Sequence, residues 1–113
     1  MRRSEIWLIN LDPTVGAEIK KKRPAIIVND DSIGLLLLKV IVPITDWKAK
    51  YSTADWLVKF EPNEFNNLTK VSAADCFQVR SISQQRMIKK IGFIDDVGMK
   101  EIEKSLAAVL KIE

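Results

Sequence analysis

Histidine is absent from the 113-residue sequence, and Cys76 is its only cysteine. Histidine is the usual proton-transfer group near neutral pH, and both zinc sites and thiol–imidazole pairs draw on His and Cys side chains. A single cysteine cannot form an intramolecular disulfide. Any chemistry performed by this chain must therefore use Arg, Lys, Asp, Glu, Thr or Ser.

The excess of basic side chains is concentrated near the N-terminus. Residues 1–24 contain six basic and three acidic residues, so this segment already accounts for the net charge of +3. Most of the excess lies in Lys20–Arg23, which follows the glycine-containing segment Val15–Glu18. Such a cluster attracts phosphates, but charge runs of this kind are as often simply solvated loops. The charge pattern alone leaves both interpretations open.

Size and composition indicate one globular domain spanning residues 1–113. Apolar residues make up 47% and charged residues 29% of the chain, which excludes the disordered and membrane classes. The apolar run Leu35–Val42 contains Lys39 and is far shorter than the ~20 residues of a membrane-spanning helix. Met1–Glu5 is basic but precedes only a short apolar stretch, unlike a signal peptide. We therefore expect a cytoplasmic protein that has no membrane partner.

Five segments have the residue types of β-strands. The segment Thr14–Lys22 lacks apolar periodicity and should form a loop, and Pro43 should confine the end of its strand to an edge or a bulge. Trp56, Val58 and Phe60 occupy alternate positions, which predicts a strand with one buried face. The predicted strands are Ile6–Leu11, Ala25–Val28, Leu35–Ile44, Trp56–Phe60 and Val71–Val79.

The C-terminal segment changes from strand to helical periodicity. Its apolar residues fall close to one helical face, which predicts a helix from about Asp96 to Lys111 with Asp95 or Asp96 as its N-cap. A shorter helical turn is predicted over Ser83–Lys89. Strands followed by one main helix indicate a mainly β fold with α, in which a small antiparallel sheet curls into a partial barrel.

Four ordered segments of the chain carry a family resemblance. Each is short and occurs by chance in unrelated proteins, but together, in this order and at this spacing, they cover nearly the whole chain. The segments are Glu5–Pro13 with Val15–Glu18, Lys22–Asp30, Val42–Thr45, and Gln78–Ile82 with the terminal helix. In these segments the sequence resembles the MazF/PemK toxin family.

The resemblance implies a small SH3-like antiparallel β-barrel with a C-terminal helix, assembled as a symmetric homodimer. It further implies an mRNA interferase of a type II toxin–antitoxin module, which cleaves single-stranded RNA at short sequences without a metal or other cofactor and is inhibited by a cognate antitoxin. By position in the motifs, Arg23 and Thr45 would be the catalytic pair.

The chemistry implied for that pair is physically reasonable. RNA supplies its own nucleophile, the 2'-hydroxyl, so the protein need only position it and stabilise charge on the phosphate. A guanidinium such as that of Arg23 donates two parallel hydrogen bonds to phosphate oxygens, and a Thr45 hydroxyl can donate another. The products would be a 2',3'-cyclic phosphate and a 5'-hydroxyl. Asp46 is the carboxylate nearest to Thr45 in sequence and could act as the base.

Other residues are expected to bind RNA. Trp47 is the better candidate for stacking on a base, whereas Trp7 and Trp56 are expected in the core. Arg80 could line the RNA groove or could pair with Asp75 or Asp12. The full predicted RNA-binding set is Gly16, Lys20, Lys21, Lys22, Asp46, Trp47, Gln78 and Arg80.

Three residues depart from the family pattern. Ala17 stands where many relatives have a polar residue, and Asp46 places a negative charge near a phosphate site. Phe77 stands where some members have a carboxylate, so a carboxylate base at that position is excluded here. Two alternatives keep the fold but change the function: a gyrase-poisoning toxin, or a non-catalytic SH3-like nucleic-acid-binding module.

Overall fold

The computed structural model describes residues 1–33 and 37–113. Within these residues, seven strands and one α-helix form the framework, and three short 3-10 helices connect strands: Ala49–Thr53, Cys76–Gln78 and Gln84–Arg86. The strands are β1 Glu5–Asn10, β2 Lys22–Ile27, β3 Leu38–Asp46, β4 Leu57–Phe60, β5 Ser72–Asp75, β6 Arg80–Ser83 and β7 Met87–Phe93, and the helix is α1 Asp96–Leu110.

All strand pairs of the sheet are antiparallel, in the order β4-β5-β3-β2-β1-β7, with β6 added beside β3. Strands β4 and β7 lie at opposite ends of this order, and within the described residues they do not pair with each other. The sheet is therefore open and does not close as a complete barrel. The predicted fold class, mainly β with a C-terminal helix, is confirmed.

The long strand β3 is the centre of the sheet. On one side its residues Ile41–Pro43 pair with β2. On the other side, Leu38–Ile41 pair with β6 and Ile44–Asp46 pair with β5. Pro43 lies between these last two pairings, where the strand changes partners. A residue without an N–H is tolerated at such an interruption of the ladder, so Pro43 does not confine β3 to an edge.

Two apolar clusters lie on opposite faces of the sheet. Successive strand residues point to opposite faces, so Ile26 and Val42 pack in the first cluster with Ile102 of α1, whereas Ile27 and Ile41 pack in the second. All five of these side chains are fully buried. Burial on both faces fixes the positions of β2 and β3, the strands that carry Arg23 and Thr45.

The ends of the helix follow the prediction closely. The Asp95 side chain accepts a hydrogen bond from the Gly98 N–H at 2.8 Å, which is an N-cap interaction. Lys111 has a φ of 56°, in the left-handed region, and ends the helix one residue earlier than predicted. Within the described residues, no helix is long and apolar enough to cross a membrane.

Two predicted elements are wrong. The segment Val71–Val79 is not one strand, because the Asp75 side chain accepts the Phe77 N–H and turns the chain into a 3-10 helix after β5. The segment Ser83–Lys89 is not one helical turn. Ser83 does cap a 3-10 helix, but this helix ends at Arg86 and the chain continues as β7.

Smaller differences concern strand ends and tryptophans. Strand β3 ends at Asp46 rather than at Ile44, and residues 35–36 of the predicted strand lie outside the described residues. Trp56 was predicted in the core but precedes β4 and is 45% exposed. Trp7 is partly buried against the second apolar cluster.

Candidate functional site

A pocket of about 450 Å³ lies between strands β2, β3 and β7 and the connection from β4 to β5. It brings together Arg23 and Thr45, which lie on different strands, with Lys22 and Asp46 beside them. The remaining lining residues are Leu8, Pro24, Ile44, Asn67, Leu68, Thr69, Lys70, Ser72, Lys89 and Ile91.

Arg23 reaches this pocket from the second residue of β2. It lies opposite Ile9 of β1, and the following Pro24 lies opposite Leu8. The Arg23 side chain is partly buried, and its Nε donates a long hydrogen bond of 3.4 Å to the Lys20 carbonyl. The strand pairing and this contact orient the guanidinium.

Thr45 is the penultimate residue of β3. It lies opposite Ala73 of β5, and both Ala73 and the preceding Ile44 are buried. The Thr45 side chain itself is partly exposed. Packing of its neighbours therefore fixes the backbone of Thr45, while the residue itself lines the pocket.

A lysine that the sequence did not single out neutralises the carboxylate of this pocket. The Lys70 Nζ lies 3.0 Å from Asp46 Oδ1. Lys89 of β7 also lines the pocket. Neither lysine is near Arg23 in sequence, and Lys89 fell in a segment for which a helical turn was predicted. Only the pairing of distant strands brings these side chains together.

The β1–β2 loop carries the other predicted basic residues. Gly16 has a φ of +60°, and no atom lies within 4 Å of a Cβ built at this position, so its backbone conformation rather than crowding favours glycine. The Lys21 N–H donates to Asp12 Oδ1 at 3.1 Å. Lys20 and Lys21 are exposed and, like Gly16, do not line the pocket of Arg23.

Gln78 and Arg80 line a second pocket, of about 550 Å³. Gln78 Oε1 accepts the Ile19 N–H at 2.6 Å, and its Nε2 donates to Asp75 Oδ2 at 3.0 Å, so this side chain joins the β1–β2 loop to the end of β5. Pro43 of β3 also lines this pocket. Strand β3 thus borders both pockets, through Pro43 in one and Thr45 in the other.

Asp75 and Arg80 are charged residues near Gln78. Burial raises the pKa of the Asp75 carboxyl, and hydrogen bonds from the Phe77 and Gln78 groups offset part of that rise. In the part of the chain that the structure describes, Arg80 forms no ion pair with Asp75 or Asp12. The Arg80 guanidinium is therefore available to a ligand of the second pocket.

The structure does not place Trp47 in the lining of either pocket. Its ring packs edge-to-face with Tyr51, with centroids 5.8 Å apart, and the Lys59 Nζ lies 5.3 Å from the ring centroid. These contacts with the chain itself occupy much of the indole surface. The stacking role of Trp47 stays a prediction.

The geometry of the first pocket suits an oxyanion ligand. Among the described residues that line it, four are cationic and one is a carboxylate: Lys22, Arg23, Lys70, Lys89 and Asp46. A phosphate diester bound there would meet a guanidinium from one strand and a hydroxyl from the next.

Residues 2–110 match the family model described as "PemK-like, MazF-like toxin of type II toxin-antitoxin system". The chain is 29% identical over 112 residues to the endoribonuclease MazF9 of Mycobacterium tuberculosis, covering 94% of this chain and 92% of that protein. It is 26% identical to the endoribonuclease MazF of Staphylococcus saprophyticus, covering 94% of this chain and 88% of that protein.

Solved structures share the fold. The MazF crystal structure from Deinococcus radiodurans has a TM-score of 0.81 at 18% identity, covering 99% of this chain and 97% of that chain. A mycobacterial endoribonuclease in complex with its cognate antitoxin has a TM-score of 0.78 at 17% identity, covering 100% of this chain and 97% of that chain. Since the family model spans nearly the whole sequence, this chain belongs to the family of PemK-like, MazF-like toxins of type II toxin–antitoxin systems.

Proposed function

We propose that this protein is the endoribonuclease toxin of a type II toxin–antitoxin module and that it cleaves single-stranded RNA at short sequences. The observation that carries the proposal is the convergence of Arg23 and Thr45, from two strands, in one cationic pocket. The relatives named endoribonucleases support the same activity, since they align with 94% of this chain.

In the proposed reaction, the 2'-hydroxyl of the substrate attacks the adjacent phosphorus. A bond forms between the 2'-oxygen and phosphorus as the 2'-hydroxyl releases its proton to solvent, the bond from phosphorus to the 5'-oxygen breaks, and the 5'-oxygen takes up a proton from solvent. The positively charged Arg23 guanidinium stabilises the charge on the non-bridging oxygens, and the Thr45 hydroxyl donates a further hydrogen bond. The products are a 2',3'-cyclic phosphate and a 5'-hydroxyl.

The reaction requires no metal ion or other cofactor in this proposal. The nucleophile belongs to the substrate, and positively charged side chains supply the electrostatic stabilisation that a metal ion would otherwise give. The lysines Lys20 and Lys21 add attraction for the phosphate backbone that does not depend on sequence. Gln78 and Arg80, in the second pocket, extend the surface on which the RNA lies.

The protein acts in the cytoplasm as a homodimer that a cognate antitoxin inhibits. One of the structurally similar endoribonucleases was solved in complex with its cognate antitoxin. A basic surface that binds phosphates also attracts acidic peptide segments. We propose that an acidic antitoxin segment covers the pocket of Arg23 and Thr45.

A cleavage assay on a long single-stranded RNA in the presence of EDTA tests the proposed function. We expect cleavage at a small number of sites, and we expect base pairing to protect those sites, because paired bases cannot be read from a groove. Loss of cleavage on addition of EDTA would contradict metal independence. A gyrase-poisoning toxin would instead leave the RNA intact and inhibit gyrase, and a non-catalytic module would bind the RNA without cutting it.

A further inference from the structure

Lys70 reaches the pocket of Arg23 and Thr45 from a part of the chain remote from both. It lies near the end of the connection between β4 and β5, one residue before Val71, and its neighbours Asn67, Leu68 and Thr69 line the same pocket. Lys70 has a side chain that is 65% exposed, with its Nζ held 3.0 Å from Asp46 Oδ1. The ammonium group therefore lies in the pocket and remains open to solvent.

The connection that carries Lys70 is braced internally by Asn66 and joined to β7 by Asn67. Asn66 is 1% exposed, accepts the N–H groups of Asn63 and Leu68 at 3.0 Å each, and donates to the Glu61 carbonyl at 2.9 Å. Asn67 Nδ2 donates to the Ile91 carbonyl of β7 at 2.9 Å. A segment fixed in this way presents its side chains in a defined position, which a ligand contact needs.

Contact with β7 adds a second constraint. A Cβ at Gly92 would lie 2.3 Å from the Phe65 carbonyl oxygen and 2.8 Å from the Asn66 carbonyl oxygen. The backbone of the connection thus lies directly against β7, at a distance that only glycine permits. Residues 61–70 therefore form a fixed wall of the pocket.

The ion pair between Lys70 and Asp46 can readily be replaced by a contact between Lys70 and another anion. Both side chains are largely solvent-accessible, at 65% and 48%, and ion pairs this exposed are weak. A phosphate diester next to Arg23 would offer Lys70 another anionic oxygen within the same pocket. In the absence of RNA, Asp46 keeps the ammonium group in place.

From these contacts we infer that Lys70 is an RNA-binding residue of this pocket. When the substrate binds, Lys70 gives up its ion pair with Asp46 and contacts an RNA phosphate instead. The inference rests on the proposed function for the identity of the substrate. Asp46 is then a positioning residue that competes with the substrate for Lys70. The wall formed by residues 61–70 becomes a further RNA-contacting segment.

A double-mutant experiment tests this inference. The variants are Lys70→Met, Asp46→Asn and the combination of the two, with Lys104→Met as the matched control, because Lys104 is an exposed lysine of α1 and lines neither pocket. The probe is a fluorescent single-stranded RNA that carries a 2'-deoxynucleotide at the cleaved position, so that binding is measured without turnover at several salt concentrations.

We expect Lys70→Met to weaken binding about tenfold at low salt, as for loss of one hydrogen bond to a charged group. The slope of log affinity against log salt should become shallower by about 0.7, the value for one phosphate contact to a single strand. Asp46→Asn should tighten binding, because it removes the competitor. The double variant should bind about tenfold more weakly than Asp46→Asn alone.

Two results would overturn the inference. If Lys70→Met has no effect in the Asp46→Asn background, Lys70 only neutralises Asp46 and does not contact RNA. If Lys104→Met weakens binding as much as Lys70→Met, the effect is general electrostatic attraction. Cleavage of unmodified RNA is measured on the same wild-type preparation, so failure of the proposed activity is distinguished from failure of this contact.

Discussion

Arg23 and the preceding lysines carry the same charge but hold it in different ways. Lys20 and Lys21 are exposed on the β1–β2 loop, whereas Arg23 is partly buried within β2 and lies in the pocket with Thr45. A transition-state contact requires a fixed position, and general attraction for a polyanion does not. Chemistry and binding should therefore separate within this short cluster.

Arg23→Ala should lower the single-turnover cleavage rate at saturating RNA by about 100-fold or more, as for loss of one preorganised donor to a developing charge. Its effect on affinity should be no larger than that of one lysine. Thr45→Val, which keeps the shape of the side chain but removes the hydroxyl, should show the same pattern in milder form. Rates and affinities at two salt concentrations measure both effects.

The control is the replacement of Lys20 and Lys21, which do not line the pocket, by alanine. This double variant should weaken RNA binding and flatten its dependence on salt, while the rate at saturating RNA changes little. The catalytic assignment would be wrong if the double variant lost turnover and Arg23→Ala kept it. A protein that only binds nucleic acid would then be the better explanation.

The sequence could indicate some residues of the pocket but not others. Arg23 directly precedes Pro24, and Thr45 follows Pro43 by two residues; each lies in a short ordered motif, so resemblance alone singled them out. Lys70 and Lys89 lie in no such motif. Their place in the pocket depends on how β4, β5 and β7 pack, which local residue patterns do not specify.

At the level of elements, Glu5 links the start of β1 to the N-terminal segment and to β7. Its carboxylate accepts hydrogen bonds from the Trp7 indole and the Arg2 N–H, both at 2.9 Å, and lies 3.1 Å from the Lys90 Nζ. Burial raises the pKa of Glu5, but these hydrogen bonds outweigh burial and lower the pKa from 4.5 to about 2. The ionised form is therefore favoured by folding.

Since the folded-state pKa is the lower one, Glu5 stabilises the fold fully above pH 4.5, and this contribution is lost as pH falls towards 2. Glu5→Gln should be less stable than the wild type near pH 7. The difference in the free energy of unfolding should narrow as the pH falls from 4.5 to about 2. Urea midpoints across this range measure the effect, with Glu101→Gln on the exposed face of α1 as the control. A constant difference at all pH values would contradict the assignment.

Gly92 tests the contact between β7 and the 61–70 wall. Gly92→Ala would place a Cβ 2.3 Å from the Phe65 carbonyl oxygen, so backbone must shift. We expect a loss of about 2 kcal/mol in the free energy of unfolding, as for overpacking at a closely packed site. Gly16→Ala, where the space is open but φ is +60°, should cost about 1 kcal/mol. Equal losses in urea unfolding would show that contact with residues 61–70 is not the cause.

Elements with clear periodicity were easier to predict than those fixed by distant contacts. The helix was predicted over Asp96–Lys111 because its apolar face and its cap are both local. Strand β7 was missed because Ser83 does cap a short helix, which suggested that the turn would continue to Lys89. Its actual partner is β1, which is distant in the chain: Leu8 and Lys89, which pair with each other, are 81 positions apart.

For the whole molecule, the basic pocket should make inhibition by the antitoxin sensitive to salt. An acidic antitoxin segment that covers the pocket would compete with RNA for Lys22, Arg23, Lys70 and Lys89. We expect the complex to cleave RNA far more slowly than the free toxin and to recover activity as salt weakens the complex. If the complex cleaved RNA as fast as the free toxin does, occlusion of the pocket would be ruled out.

We propose that the pocket of Arg23 and Thr45 cleaves RNA by means of the substrate's own 2'-hydroxyl. Once the cleaved bond has been mapped, the most direct measurement compares two RNA strands in EDTA, one unmodified and one with a single 2'-deoxynucleotide on the 5' side of that bond. We predict that the unmodified strand yields a 2',3'-cyclic phosphate and a 5'-hydroxyl, while the modified strand binds with similar affinity and stays intact. Cleavage of the modified strand at the same bond would contradict the mechanism, because its nucleophile would then have to come from elsewhere.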